Sequence, residues 1–380
     1  MRRRPTRGPA PGRGRSGPDD GRRRTPDPPV AASPAAAGNL GIIDGLAQLR
    51  RIAFLLERAR EPTPRVRAFR RALAVLEELP ADELAERIAA DTLTELDGIG
   101  PATAKVMTEA AAGETSSYLR KLEASYGPLV DGGEEHRAAL HGDLHLHSNW
   151  SDGGSSIEEM ARTARDLGHD YIALTDHSPR LKVARGLSAE RLAKQLEVVA
   201  ELNEKLAPFR ILTGIEVDIL EDGSLDQKES VLAQLDVVVA SVHSKLRMDK
   251  KSMTRRMIAA IASPHVDVLG HCTGRLITGE RGTRGESAFD ADLVFAACAQ
   301  FDVAVEINSR PERLDPPRRL LRQAADAGCL FAIDTDAHAP GQLDFQPYGC
   351  ARAEECGVSP DRIVNTRSAD ELLAWTARRR

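Results

Sequence analysis

The 380-residue chain predicts an α/β fold: a seven-stranded parallel barrel preceded by a small all-helical unit. Three observations carry this. The hydrophobic period changes from helical to strand-like near His141. Seven short apolar runs then alternate with amphipathic stretches. Six of the ten histidines fall at the C-terminal ends of those runs. Repeated βα units imply a parallel sheet, and seven of them suggest a closed or nearly closed barrel.

Residues 1–38 hold fourteen Pro or Gly and almost no large apolar side chains. Such a stretch cannot bury enough surface to offset its ordering entropy and is expected to be a disordered tail. Its nine arginines against three aspartates give +6, which leaves −11 for the rest of a chain whose net charge is −5. A folded part this acidic has no global electrostatic grip on nucleic acid, so DNA contacts must be local. The 4% aromatic content also argues against a surface built for base stacking. Arginines follow Met1, but no apolar segment succeeds them, so secretion is not expected. No apolar run is long enough to span a membrane. The five cysteines are scattered, as in a cytoplasmic protein with reduced thiols.

From residue 39 to about 123 the spacing predicts helices. Leu46, Leu49, Ala53 and Leu56 share one face, and Val66, Phe69, Leu73 and Leu76 repeat the pattern. Pro62 and Pro64 separate the two, and Pro80 ends the second. A third segment leads into Leu96-Asp97-Gly98-Ile99-Gly100-Pro101, followed by the helical residues 102–112. Glycines at Gly98 and Gly100 let the backbone N–H groups around Ile99 approach a phosphate, and a helix N-terminus favours that anion. A G-x-G turn is also a common way of packing two helices. Residues 124–140 read as a linker, and 141–380 as the barrel. Its runs are Asp143–His147, Tyr171–His177, Ile211–Ile219, Val237–His243, Val266–Cys272, Val303–Ser309 and Leu330–His338, with helices such as Ile157–Leu167 and Arg191–Leu206 between them.

His145, His147, His177, His243, His271 and His338 sit at strand ends, and Asp152, Glu216 and Asp336 join them. The C-terminal rim of a parallel barrel is where sites are built. In His145-Leu146-His147, and again in Asp336-Ala337-His338, alternate residues point to one side, so both can reach one ion. Mixed imidazole and carboxylate ligands suit Zn, Mn or Fe better than Mg or Ca. A lone H-x-H is more often packing, but nine such residues in phase with the barrel are not.

These residues carry a resemblance. His145-Leu146-His147-Ser148-Asn149-Trp150-Ser151-Asp152-Gly153, Leu174-Thr175-Asp176-His177, Gly214-Ile215-Glu216-Val217-Asp218-Ile219, Ser241-Val242-His243 and Thr335-Asp336-Ala337-His338 resemble the motifs of the PHP (polymerase and histidinol phosphatase) superfamily. Gly270-His271-Cys272-Thr273-Gly274-Arg275 and Glu306-Ile307-Asn308 are most similar to the PHP domain attached to bacterial family X DNA polymerases. The helical unit resembles the helix-hairpin-helix region of the same polymerases, with Gly98-Ile99-Gly100 at the hairpin.

The resemblance implies a distorted TIM-like (β/α)7 barrel with three divalent ions. His145, His147, Glu216 and Asp336 would hold the first. Glu216 would bridge to a second, completed by His243 and His271, and Asp152, His177 and His338 would hold the third. Arg275, or Arg310, is nominated to neutralise phosphoryl oxygens, against the alternative of a structural ion pair. The catalytic assignments are therefore Glu216, Asp152 and Arg275. Such polymerases carry a nucleotidyltransferase palm between the two regions. Here only the linker stands there, so polymerisation is not expected. The leading expectation is a phosphoesterase acting on DNA, as a 3′–5′ exonuclease or end-processing repair enzyme, with DNA held through the hairpin backbone and no membrane partner. The alternatives are a small-molecule phosphatase of the histidinol-phosphate type and a non-catalytic DNA-binding adaptor.

Overall fold

The structure is a computed structural model that describes residues 34–279 and 282–378. Six helices come first: α1 (Pro34–Arg58), α2 (Thr63–Glu77), α3 (Ala81–Ala89), α4 (Pro101–Ala111), α5 (Ser117–Ser125) and α6 (Glu134–Ala139). Helix α1 begins at Pro34, so residues 34–38, expected in the disordered tail, are helical. The run Ala35-Ala36-Ala37 has the highest helix propensity of any residue type and extends the first turn. The rest of the expected tail, 1–33, lies outside the described residues. Leu49, Ala53 and Leu56 on α1 and Phe69, Leu73 and Leu76 on α2 are buried in one core with Ile99, Val106 and Met107. The expected linker holds α6, whose His136 Nε2 meets Val358 O at 2.7 Å.

Seven strands follow, β1 (Gly142–Leu146), β2 (Tyr171–Leu174), β3 (Arg210–Asp218), β4 (Val237–Ser241), β5 (Val268–Leu269), β6 (Ala304–Asn308) and β7 (Phe331–Asp334). They pair in sequence order, every neighbour parallel. Around them run α7 (Ile157–Asp166), α8 (Ala189–Leu206), α9 (Glu229–Leu232), α10 (Lys250–Ile261), α11 (Ala291–Phe301), α12 (Arg318–Asp326), α13 (Gln346–Glu355) and α14 (Ala369–Ala377). The barrel is nearly closed. Asp336 N–H donates to His145 O at 2.9 Å and His147 N–H to Ala337 O at 2.8 Å, so the two edge strands meet at the end where the histidines lie. The expected run Val266–Cys272 supplies only a two-residue strand, because Gly270 and the residues after it turn away to deliver His271.

The helical region is fastened to the barrel beside the site. Gly341, three residues past His338, lies so close to α1 that a Cβ there would stand 2.2 Å from Phe54 O, and its N–H donates to Glu57 at 2.9 Å. Glu57 is buried and held in a fork by Arg70 (2.7 Å to each oxygen), which also pairs with Glu159 on α7.

Candidate metal centre

The nine sequence-nominated side chains converge above the barrel's C-terminal rim. Glu216, on β3, is at the centre and buried. Its Oε1 is 3.2 Å from His243 Nε2 and 3.0 Å from His271 Nε2. Its Oε2 is 3.4 Å from His145 Nε2, 3.7 Å from His147 Nε2 and 2.8 Å from His177 Nδ1. One carboxylate thus faces different imidazoles from each oxygen. Asp336 Oδ1 lies 3.4 Å from His147 Nε2, and Asp152 Oδ1 is 3.4 Å from Nε2 of both His177 and His338.

Four overlapping groups have ligand atoms close enough to share an ion: His147 with Asp152, His177 and His338; His145 with His147 and Asp336; His145 with Glu216 and His271; and His177 with Glu216 and His243. The convergence is the one expected, but the partition is looser. His145, His147 and His177 each serve two groups, whereas the resemblance assigns each to one ion.

The electrostatics call for cations. Both oxygens of Glu216, His145 Nε2, both nitrogens of His147, His177 Nδ1 and both nitrogens of His243 are buried without a hydrogen-bond partner among the described residues. Buried polar atoms left so are costly unless an ion compensates them, so this donor set fits a metal cluster. Burial disfavours an ionised Glu216, yet His243, His145 and His177 hold its carboxyl well below the usual range. Burial likewise opposes a charged His243, but Glu216 raises it to about 9. Burial, His338 and His177 push His147 well down, so it stays neutral, as a ligand must be. Asp336 lies well below the ordinary range because His147, Arg310 and Arg313 outweigh its burial.

Local sequence explains the positioning. At Gly153 a Cβ would come within 2.8 Å of the Ser148 and His147 carbonyls, so only glycine lets the loop after β1 fold back and bring Asp152 to His338. Asp176 fixes the same loop, accepting from Ser148 N (2.8 Å), Ser148 Oγ (2.6 Å) and Ser151 Oγ. Asp336 itself has φ +53, a left-handed conformation that Asp tolerates better than most residues.

Residues 143–310 match the model of the PHP domain, and residues 42–116 that of a helix-hairpin-helix domain. The chain carries a PHP domain behind a helix-hairpin-helix domain. A DNA polymerase/3′-5′ exonuclease PolX of Bacillus subtilis is 40% identical over 239 residues, which are 63% of this chain but 41% of that protein. The chain therefore spans well under half of that relative's length. A probable phosphatase of Thermoanaerobacter is 29% identical over 235 residues, covering 59% of this chain and 89% of the relative. The solved histidinol phosphate phosphatase of Lactococcus lactis, complexed with zinc, L-histidinol and phosphate, is a looser likeness, with a TM-score of 0.41 and 20% identity over 58% of this chain and 95% of that one.

Within the PHP domain, Arg275, nominated for phosphoryl oxygens against a structural ion pair, makes its contacts with the backbone. Its Nε donates to Arg313 O at 2.9 Å and its Nη2 to Leu314 O, while Glu286 lies 3.9 Å away. Two of its nitrogens are thus engaged by backbone carbonyls. The cations beside the centre are Arg310, whose Nη1 is 2.9 Å from His338 Nδ1 and 3.6 Å from Asp336 Oδ1, and Arg313, whose Nε donates to Asp336 Oδ2 at 3.0 Å.

Sequence reasoning gave no role to Arg313, nor to two carboxylates that support the ligands. Glu306 Oε1 holds His145 Nδ1 at 2.5 Å, which orients Nε2 towards Glu216, and Asp218 accepts from His243 N at 3.1 Å. Both carboxylates stand at alternate positions in their strands, Glu306 before Asn308 and Asp218 after Glu216. That alternation was the available signal.

At the hairpin, Gly98 has φ +97, Ile99 N–H donates to Leu96 O and Gly100 N–H to Thr103 Oγ1 (3.0 Å). The Ile99 and Gly100 amides are thus committed internally. Among the described residues no helix is long and apolar enough to cross a membrane, and all five cysteines are buried.

Proposed function

We propose that this chain is a metal-dependent phosphoesterase acting on DNA phosphodiesters, as a 3′–5′ exonuclease or an end-processing enzyme of repair. The observation that carries the reading is the environment of Glu216, whose two buried, unpartnered oxygens face separate sets of imidazoles. His145, His147, Glu216 and Asp336 would hold one ion, Glu216, His243 and His271 a second, and Asp152, His177 and His338 a third. Manganese, zinc and iron all suit these donors. Such ions, when bound, acidify water towards neutrality and polarise a phosphoryl oxygen.

The chain's own groups supply the rest. Glu306 accepts a hydrogen bond from the Nδ1–H of His145, which would leave Nε2 as the lone pair offered to an ion. Arg310 and Arg313 bring positive charge to the side of the centre where Asp336 and His338 stand, and that charge offsets the negative charge of a phosphoryl group. The hairpin would hold a neighbouring DNA phosphate at the N-terminus of α4. Only α6 lies between α5 and β1, in the interval where a polymerase palm would stand, so nucleotide addition forms no part of the reading.

A small-molecule phosphatase is the second reading, favoured by the relative named a probable phosphatase that this chain covers almost end to end. The helix-hairpin-helix domain weighs against it, since a metabolic ester offers no backbone for it to grip. The test is one activity panel with Mn or Zn. Labelled single-stranded, recessed, 3′-phosphate and abasic DNA would be set against histidinol phosphate and a chromogenic ester. Preference for histidinol phosphate over every DNA would reverse the order. Full metal content with no hydrolysis at all would leave a binding adaptor.

A further inference from the structure

We propose that the loops following β2 and β4 form a phosphate-holding rim for a single-stranded polynucleotide, gripping the backbone to one side of the bond that is cut. The proposal rests on the phosphoesterase reading and names its substrate class more narrowly. His177 is followed within five residues by Arg180 and Lys182, and His243 within four by Lys245 and Arg247. All four side chains are exposed, and no partner holds any of them among the described residues. In a chain that carries −11 beyond residue 38, four free cations beside the catalytic rim are a local reversal of charge.

Their scaffolds are anchored. Asp226 accepts from Arg180 N at 2.8 Å, and Arg185 donates to Asn149 O at 3.1 Å, tying the β2 loop to the loop that bears Asp152. The buried Arg256 donates to Ser244 O at 2.8 Å and to Ile219 O at 3.1 Å, pinning the start of the β4 loop. A fixed scaffold lowers the ordering cost of binding an extended chain. Val183, between Lys182 and Ala184, is 91% exposed and offers an apolar contact to a base beside those cations.

The two loops rise from strands on either side of β3, two strand spacings or about 10 Å apart. Exposed Glu221 and Asp222 follow β3 and repel phosphate between them. A lone phosphate ester at the centre cannot span that width. A chain with a phosphate on every nucleotide can touch both loops while its end occupies the metal centre.

The test compares Arg180→Gln/Lys182→Gln and Lys245→Gln/Arg247→Gln with the wild type, all as full chains loaded with manganese. Melting temperature and metal content serve as checks on folding. The readout is the salt dependence of binding to a fluorescent twelve-nucleotide single strand. Each phosphate contact contributes about 0.7 to the slope of log K against log salt, so each double variant is expected to lower the slope by about 1.4. An unchanged slope in folded, metal-loaded variants overturns the rim. Hydrolysis of bis(4-nitrophenyl) phosphate by the wild type scores the phosphoesterase reading separately. Failure there with the slope still reduced removes the reading and keeps the polynucleotide site.

Discussion

Asp152→Ala separates a metal-holding aspartate from a structural one. Asp152 sits on the loop between β1 and α7, with Oδ1 3.4 Å from Nε2 of both His177 and His338 and its side chain 29% exposed. An aspartate just before a helix commonly caps it, and its loss then costs about 1 kcal/mol. Here the cap is Ser156, whose Oγ accepts from Glu159 N at 3.2 Å, so truncating Asp152 removes no cap. A partly exposed side chain with no such role is expected to change stability by no more than about 0.5 kcal/mol. The third ion, in contrast, would lose its only carboxylate. Loss of one preorganised charge contact lowers turnover by about 10²–10³, equivalent to about 2.7–4 kcal/mol in the barrier. Elemental analysis is expected to fall from three ions to two, and steady-state turnover on the preferred substrate to fall by that factor, at an unchanged melting temperature. Three retained ions with near-normal turnover would refute the assignment. A lowered melting temperature with normal turnover would return Asp152 to a structural role.

Further outcomes follow from the structure. Glu216→Gln is expected to lose two ions and all activity together, since each oxygen faces a different set of imidazoles; full metal occupancy would remove the bridging role. Gly100→Leu is expected to weaken DNA binding at an unchanged melting temperature, because a Cβ there meets nothing within 4 Å, whereas substitution at Gly98 is strained by its φ of +97. Arg275→Ala should lower stability by about 1–3 kcal/mol through the two backbone hydrogen bonds it removes. Arg310→Ala should instead lower turnover with little change in melting, and the reverse pairing of effects would restore Arg275 as the catalytic cation. His169, buried and pushed down to about 3 by burial and Arg137, titrates at 6.5 when unfolded. The unfolded state then binds the extra proton, so stability is lost as pH falls from 6.5 towards 3. The loss is about 2 kcal/mol between pH 7 and pH 5, and His169→Leu should remove that part of the slope in denaturant titrations.

The sequence by itself determined the barrel and which side chains gather at its rim. Strand periodicity is local, so His145 and His147, or Asp336 and His338, declare a shared face two residues apart, and the chain's parallel order brings every strand's C-terminal end to one rim. The hairpin was legible for the same reason, because Gly98 must adopt a backbone conformation that few other residues accept. Tertiary structure decided which cations and carboxylates serve the centre. Arg275 and Arg313 are both arginines near strand ends, and nothing in their neighbours tells them apart. A guanidinium's reach lets it choose among partners tens of residues away, and Arg275 found the Arg313 and Leu314 carbonyls while Arg313 found Asp336. Glu306 became the partner of His145 only when the barrel closed β6 towards β1. Contacts set by backbone period can be read along the chain, whereas those set by side-chain reach across the barrel exist only once it has folded.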